Sequence, residues 1–206
     1  MDANEKPSEA TNVNTRMDAV VLNKKYLNIE DVYATYGGGS FKLDLGCGYV
    51  KPPGFIGIDN LSGEESQIQN AQNAPDILMN LDAAVFPFPD NSCEEVRSSH
   101  FLEHSQLTHI LNESHRVLQP RGVFLFAVPY ANSAEGMYPG HNQFLTEKWF
   151  FENINFQNKY EIKKIVYYPS GYWKKSIARF FIPFNFARIF FFNACWQMIV
   201  YCIKKQ

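Results

Sequence analysis

No excess of either charge, no CxxC pair and no unbroken 20-residue apolar run occurs in this sequence. Each absence removes a class of protein. A formal net charge of -2 over 206 residues provides no broad basic field, so nucleic acid is not an expected partner. The four cysteines, Cys47, Cys93, Cys195 and Cys202, are scattered and show no Cys/His metal spacing. They read as reduced thiols of an intracellular, cytoplasmic protein, and no metal is expected. The opening MDANEKPSEATNVNTR has no apolar core and is not a secretory signal. It predicts a disordered tail over residues 1–20, followed by a single domain over 21–206.

What is present is globular in composition, 46% hydrophobic and 16% aromatic. Short apolar runs predict strands at Phe41–Leu45, Gly54–Asp59, Asp76–Asn80, Val96–Ser98 and Val123–Val128. Two further strands are expected at Tyr160–Tyr167 and Met198–Ile203. Helical spacing covers Asn28–Thr35, Phe101–Leu118 and Glu147–Asn153, the last with Thr146 as its cap. Strands that alternate with helices predict an α/β fold on a mostly parallel sheet, with an antiparallel edge from the late strands.

The stretch FKLDLGCGYVKPPGFIGIDN, residues 41–60, carries the chemistry. Ligands of doubly wound sheets sit at the carboxyl ends of the strands, near the point where strand order reverses. A ligand can approach the backbone there only if side chains are missing, which explains Gly46 and Gly48. Asp59 closes the second strand, where a carboxylate can accept both hydroxyls of a ribose. A nicotinamide fingerprint needs a third glycine where Lys51 stands, and no phosphate loop is present. Alone, the two glycines fit either a binding loop or an ordinary turn.

The order of the motifs DLGCG, PGFIGID, DAAVFPFPDNSCEEVRSSHFLEH and ESHRVLQPRGVFLFAVP resembles the class I S-adenosylmethionine-dependent methyltransferases, in their small type 11-like branch. The resemblance covers roughly residues 42–129. It implies a Rossmann-like fold with a seven-stranded, mostly parallel sheet, an antiparallel C-terminal edge strand and helices on both faces. The implied cofactor is S-adenosylmethionine, with S-adenosylhomocysteine as product. Asp44 is then the acid that helps hold the ligand's amino group. Gly46, Cys47 and Gly48 wrap its methionine part, and Asp59 takes the ribose. Asp82 and Ala83 lie at the adenine edge, and Ser99 and His100 line the methionine and substrate side. Arg121 replaces a glycine usual in the branch, which alters a distal turn.

Simpler roles compete for several of these residues. Asp82 suits a helix N-cap as well as a ligand acid. Glu103 complements a helix dipole. His109 and His115 read as surface or packing residues. His141, in YPGHNQF, and His104 are the candidate general bases, since a hydroxyl acceptor must lose a proton near neutral pH. Branch association with glycan synthesis, with Tyr130, Tyr138, Tyr168, Tyr172 and Trp173 near the expected acceptor face, favours a sugar hydroxyl. Another small molecule or a lipid, and a cofactor-binding module without turnover, are the competing readings. The aromatic stretch SIARFFIPFNFARIFFFNACWQMIVYCIKK is interrupted by Pro183, Asn185, Arg188, Asn193 and Gln197. It reads as a helix packed over the sheet before the last strand, in preference to a membrane-surface helix or a homodimer contact.

Overall fold

A computed structural model describes residues 29–37, 39–60 and 75–206. The tail expected over 1–20 lies outside the described residues. Seven strands form one sheet: β1 Phe41–Leu45, β2 Ile56–Asp59, β3 Ile77–Leu78, β4 Cys93–Ser99, β5 Leu118–Pro129, β6 Tyr160–Pro169 and β7 Cys195–Lys204. Their order is β3-β2-β1-β4-β5-β7-β6. β1 pairs in parallel with β2 on one side and with β4 on the other. The strand order therefore reverses at β1, which places a crevice at the carboxyl ends of β1 and β4.

β1 and β2 are buried on both faces. Leu43, Leu45, Ile58, Val96, Phe124 and Phe126 are each fully enclosed. Such strands read as continuous apolar runs, which is why β1 and β2 stand out in the sequence. β4 is longer than Val96–Ser98. Its first half sets the buried Cys93 beside Glu94, which faces solvent, and Glu95; both acids lie near Lys42 on β1, at 3.2 and 3.7 Å. The antiparallel part is a hairpin in which β7 pairs with both β5 and β6. The last strand is therefore inserted, and β6 forms the rim.

Helices α1 Ile29–Tyr36, α2 Leu107–Val117, α3 Glu147–Glu152 and α4 Ile154–Lys159 flank the sheet. Phe101–Leu118 is not one helix: a 3-10 turn, Leu102–His104, precedes α2. Thr146 occupies the N-cap position of α3, but its side chain makes no capping bond. Arg121 sits at φ +66°, so the position where the branch has glycine does require left-handed backbone.

The aromatic stretch forms α5 Gly171–Lys175, a 3-10 turn Ile177–Phe180 and α6 Phe184–Phe190. Its own small core is Trp173, Ala187 and Ala194. Phe184 also packs on the main core, but the Phe180, Phe181 and Phe190 rings face outward, Phe181 being 80% exposed. Packing thus covers only part of this segment. Short, broken helices present alternate sides to the sheet, so one apolar stripe cannot be buried continuously. Among the described residues, no helix is long and apolar enough to cross a membrane.

Candidate active site

The turn after β1 is built by its glycines. Gly46 and Gly48 have φ of +63° and +56°. A Cβ on Gly46 would lie 2.3–2.5 Å from the Cβ and ring of Phe101, whereas one on Gly48 would meet nothing within 4 Å. The Gly46 and Cys47 amides donate to the Ile58 carbonyl at 2.9 and 3.3 Å, tying the turn to β2. The Gly48 amide donates to Asp59 Oδ2 at 2.8 Å. Loop and carboxylate are therefore one hydrogen-bonded unit.

A cleft of about 380 Å³ opens beside this unit. Its wall is made by the residues that follow three strands: Gly46 after β1, Asn60 after β2, and Asn80, Leu81 and Asp82 after β3, with His100, Phe101 and His104 beyond β4. Its size falls in the roughly 300–1,000 Å³ range of small-molecule sites. Asp59 and Asp82 both face it. Asp82 has two uses at once, because its Oδ1 also accepts the Gln106 amide at 2.7 Å, just ahead of α2.

Not every expected residue lines the cleft. Asp44, 2% exposed, is ion-paired with Arg97 Nε at 3.1 Å. Burial outweighs the guanidinium and pushes its carboxyl up to about 6. Cys47 is half-buried with its Sγ 3.5 Å from the Gly48 carbonyl oxygen, and burial pushes that thiol up. Ala83 and Ser99 are exposed and outside the wall, where Asn80 and Leu81 take the place expected for Ala83. His100 does line it, in left-handed backbone at φ +53°. Its Nε2 bonds to Gln197 Oε1 at 2.8 Å and its ring stacks on Trp196. The neighbouring Glu103 carboxylate is the main reason its imidazole is held above the usual histidine range.

His104 and His141 converge, with ring centroids 4.6 Å apart. The chain segments that carry them are tied together. The Asn142 and Gln143 amides donate to the Glu103 carbonyl at 2.7 and 3.1 Å, and Asn142 Nδ2 donates to the His104 carbonyl at 2.9 Å. His109 and His115 have packing roles. His109 bonds the Ala84 carbonyl, and burial pushes His115, edge-on to Tyr160, down to about 4.

Of the aromatics placed near the acceptor face, Tyr130 and Trp173 are buried instead. Tyr130 is held by Glu147 and Arg188. Tyr138 is exposed and its ring lies 5.5 Å from that of His141. Tyr172 lines a second cavity of about 540 Å³ with Glu135, Lys174, Lys175 and Trp196. The His100–Trp196 stack joins the walls of the two cavities. Met79 carries no distinctive sequence signal, and Phe101 and Asn60 lie inside the quoted motifs without a role of their own there; all three enter the cleft because they follow the strand ends.

A family profile described as a methyltransferase domain matches residues 43–126, the span from β1 to β5. No curated protein sequence matches the chain. Among solved structures, a SAM-dependent methyltransferase from Archaeoglobus fulgidus superposes with a TM-score of 0.59 at 16% identity, covering 84% of this chain and 90% of that one. The 16S rRNA (adenine(1408)-N(1))-methyltransferase of Catenulisporales acidiphilia, crystallised with SAM, gives 0.57 at 11% identity, covering 88% and 93%. A geranyl diphosphate methyltransferase in complex with SAM gives 0.52 at 11%, covering 81% and 79%. At these identities the likeness is one of fold.

Proposed function

We propose that this class I, type 11-like S-adenosylmethionine-dependent methyltransferase transfers its methyl group to a hydroxyl of a small polar acceptor, a sugar in the first instance. The observation that carries the hydroxyl reading is that His104 lines the cleft that Gly46 and Asp59 begin, with the His141 ring 4.6 Å behind it and outside the cleft wall. An amine acceptor is nucleophilic without such a group, whereas a hydroxyl must lose its proton as the bond to carbon forms.

The residues present fit the cofactor. Gly46 lines the cleft and leaves room for Phe101 to close over the turn, and Asp59, fixed by the Gly48 amide, offers a carboxylate to ribose hydroxyls. Asn80, Leu81 and Asp82 form the rim for the adenine, and Asp44 with Arg97 sets the charge behind the methionine end. The cofactor, when bound, supplies a methyl group already activated on a sulfonium. What remains for the protein is alignment and removal of one proton.

Phe101 covers the turn and limits water at the reacting end. His104 and His141 assist deprotonation of the acceptor. The exposed Tyr138 ring beside His141 offers a face for the C–H side of a sugar, and this supports the sugar reading.

The test is a transfer screen with labelled S-adenosylmethionine across sugars, nucleotide sugars and lipids, repeated with His104→Ala and His141→Ala. Expected is at least a ~100-fold loss of turnover in one of the two, with S-adenosylhomocysteine affinity unchanged. Full turnover in both variants removes the proposed role of the histidines.

A further inference from the structure

We propose that Glu103, His104 and His141 form a binding site for a divalent first-row transition-metal cation at the acceptor end of the cleft. One ligand atom from each of the three residues lies within 4.8 Å of the others. Glu103 is 2% exposed, yet neither of its carboxylate oxygens has a hydrogen-bond partner. His100 Nδ1 comes to 3.5 Å of Oε1, an ion-pair distance that does not amount to a hydrogen bond. With His100 at 3.5 Å as its one close cationic neighbour, this buried carboxylate still lacks a hydrogen-bond donor on either oxygen, and a cation is the partner that offsets that cost most directly.

The histidines are prepared for the same ion. His104 Nδ1 is 3.0 Å from the Gly140 carbonyl oxygen, and His141 Nδ1 is 3.3 Å from that of Gly136. A carbonyl can only accept, so in each ring Nδ1 carries the hydrogen and Nε2 keeps its lone pair. That is the second-shell arrangement that orients imidazole ligands toward a metal. The three backbone and side-chain bonds between Glu103–His104 and Asn142–Gln143 fix the two ligand-bearing segments relative to each other. The general-base reading of His104 and His141 and the dipole reading of Glu103 each miss this, because the ligands come from separate loops.

Two imidazoles and one carboxylate suit zinc, cobalt, manganese or iron, and suit magnesium or calcium poorly. Three protein ligands leave positions open on the ion. His104 also lines the cleft, so those positions are within reach of a bound acceptor. This use of the site rests on the hydroxyl reading above: a hydroxyl on the cation would release its proton to solvent water more readily. His104 and His141 would then assist deprotonation through the ion they hold.

The deciding experiment is metal uptake by the full chain, without any turnover assay. After dialysis against a chelator, the protein is titrated with Co²⁺ and followed by visible absorption. In parallel it is loaded with Zn²⁺, gel-filtered and assayed for metal. Expected are about one ion per chain and a visible band typical of low-coordinate Co²⁺. The double variant His104→Ala/His141→Ala should bind at least ~10-fold less, and Glu103→Gln should weaken binding while keeping the fold. His109→Ala should bind as the wild type does. Uptake by the wild type no greater than by the double variant, or uptake undiminished in both Glu103→Gln and the double variant, overturns the site. Metal binding without transfer to any hydroxyl would refute the acceptor reading and leave the site standing. Histidine-dependent transfer without metal would do the reverse.

Discussion

Replacing each glycine of the turn by alanine separates backbone strain from steric exclusion. Gly48→Ala places a methyl group in open space, so its cost is that of one non-glycine residue in left-handed backbone, about 1–2 kcal/mol. In a domain of this size that lowers Tm by roughly 2–8 °C. Gly46→Ala carries the same strain and adds a methyl 2.4 Å from Phe101 Cβ. The nearest atoms are the stem of the side chain, so rotation of the ring cannot relieve the contact and the 101 backbone must shift. Overpacking of this kind costs about 1–3 kcal/mol more, for roughly 2–5 kcal/mol in all. Phe101 forms part of the cleft wall, so its displacement also spoils binding. Differential scanning fluorimetry with and without S-adenosylhomocysteine checks both effects. Gly48→Ala should keep most of the ligand-induced rise in Tm, and Gly46→Ala should lose it. Equal Tm losses, or a full ligand shift in Gly46→Ala, would refute the account of the turn.

The Asp44 carboxyl titrates near 6 in the fold, against about 3.8 when unfolded. The native state therefore holds the extra proton between those values, and stability falls as pH rises from about 4 to 6, by about 3 kcal/mol, then levels. Asp44→Asn should remove that slope from the denaturant midpoint measured against pH; an unchanged profile would show that Asp44 is not its source. The same variant should weaken S-adenosylhomocysteine binding about 10-fold by calorimetry. Arg121→Gly relieves left-handed strain at an exposed site and should raise stability by about 0.5–1 kcal/mol in urea unfolding. Arg188→Met should cost about 3 kcal/mol, because it strips Glu147 and the Tyr130 hydroxyl of their shared cation; chevron or equilibrium unfolding reports it.

The sheet is legible where physics makes strands uniform. Phe41–Leu45 and Ile56–Asp59 are buried on both faces, so they appear as apolar runs, and the glycines between them could only serve a turn or a ligand. Legibility fails where a partner supplies what the residue lacks. Glu94 and Glu95 hide the start of β4 because Lys42 neutralises them from the next strand. The break between Leu102–His104 and α2 leaves the periodicity of Phe101–Leu118 nearly intact, so spacing does not reveal it. Asp82 is not the N-cap its sequence context suits, since no helix follows it directly; one oxygen instead accepts the Gln106 amide from twenty-four residues on while the residue faces the cleft. The meeting of Glu103 and His104 with His141 depends on loop–loop hydrogen bonds across more than thirty residues, which no local pattern encodes.

The insertion of β7 between β5 and β6 also sets an order in time. A chain emerging from the ribosome completes β5 some seventy residues before β7 is available. During that interval one edge of β5 has no neighbour, and β6 has nothing to join. The turn that frames the cleft needs only β1 and β2, but the Gln197 bond that holds His100, and the cover for the β5 edge, wait for residues 195–204, so that edge is the last part of the sheet to be paired.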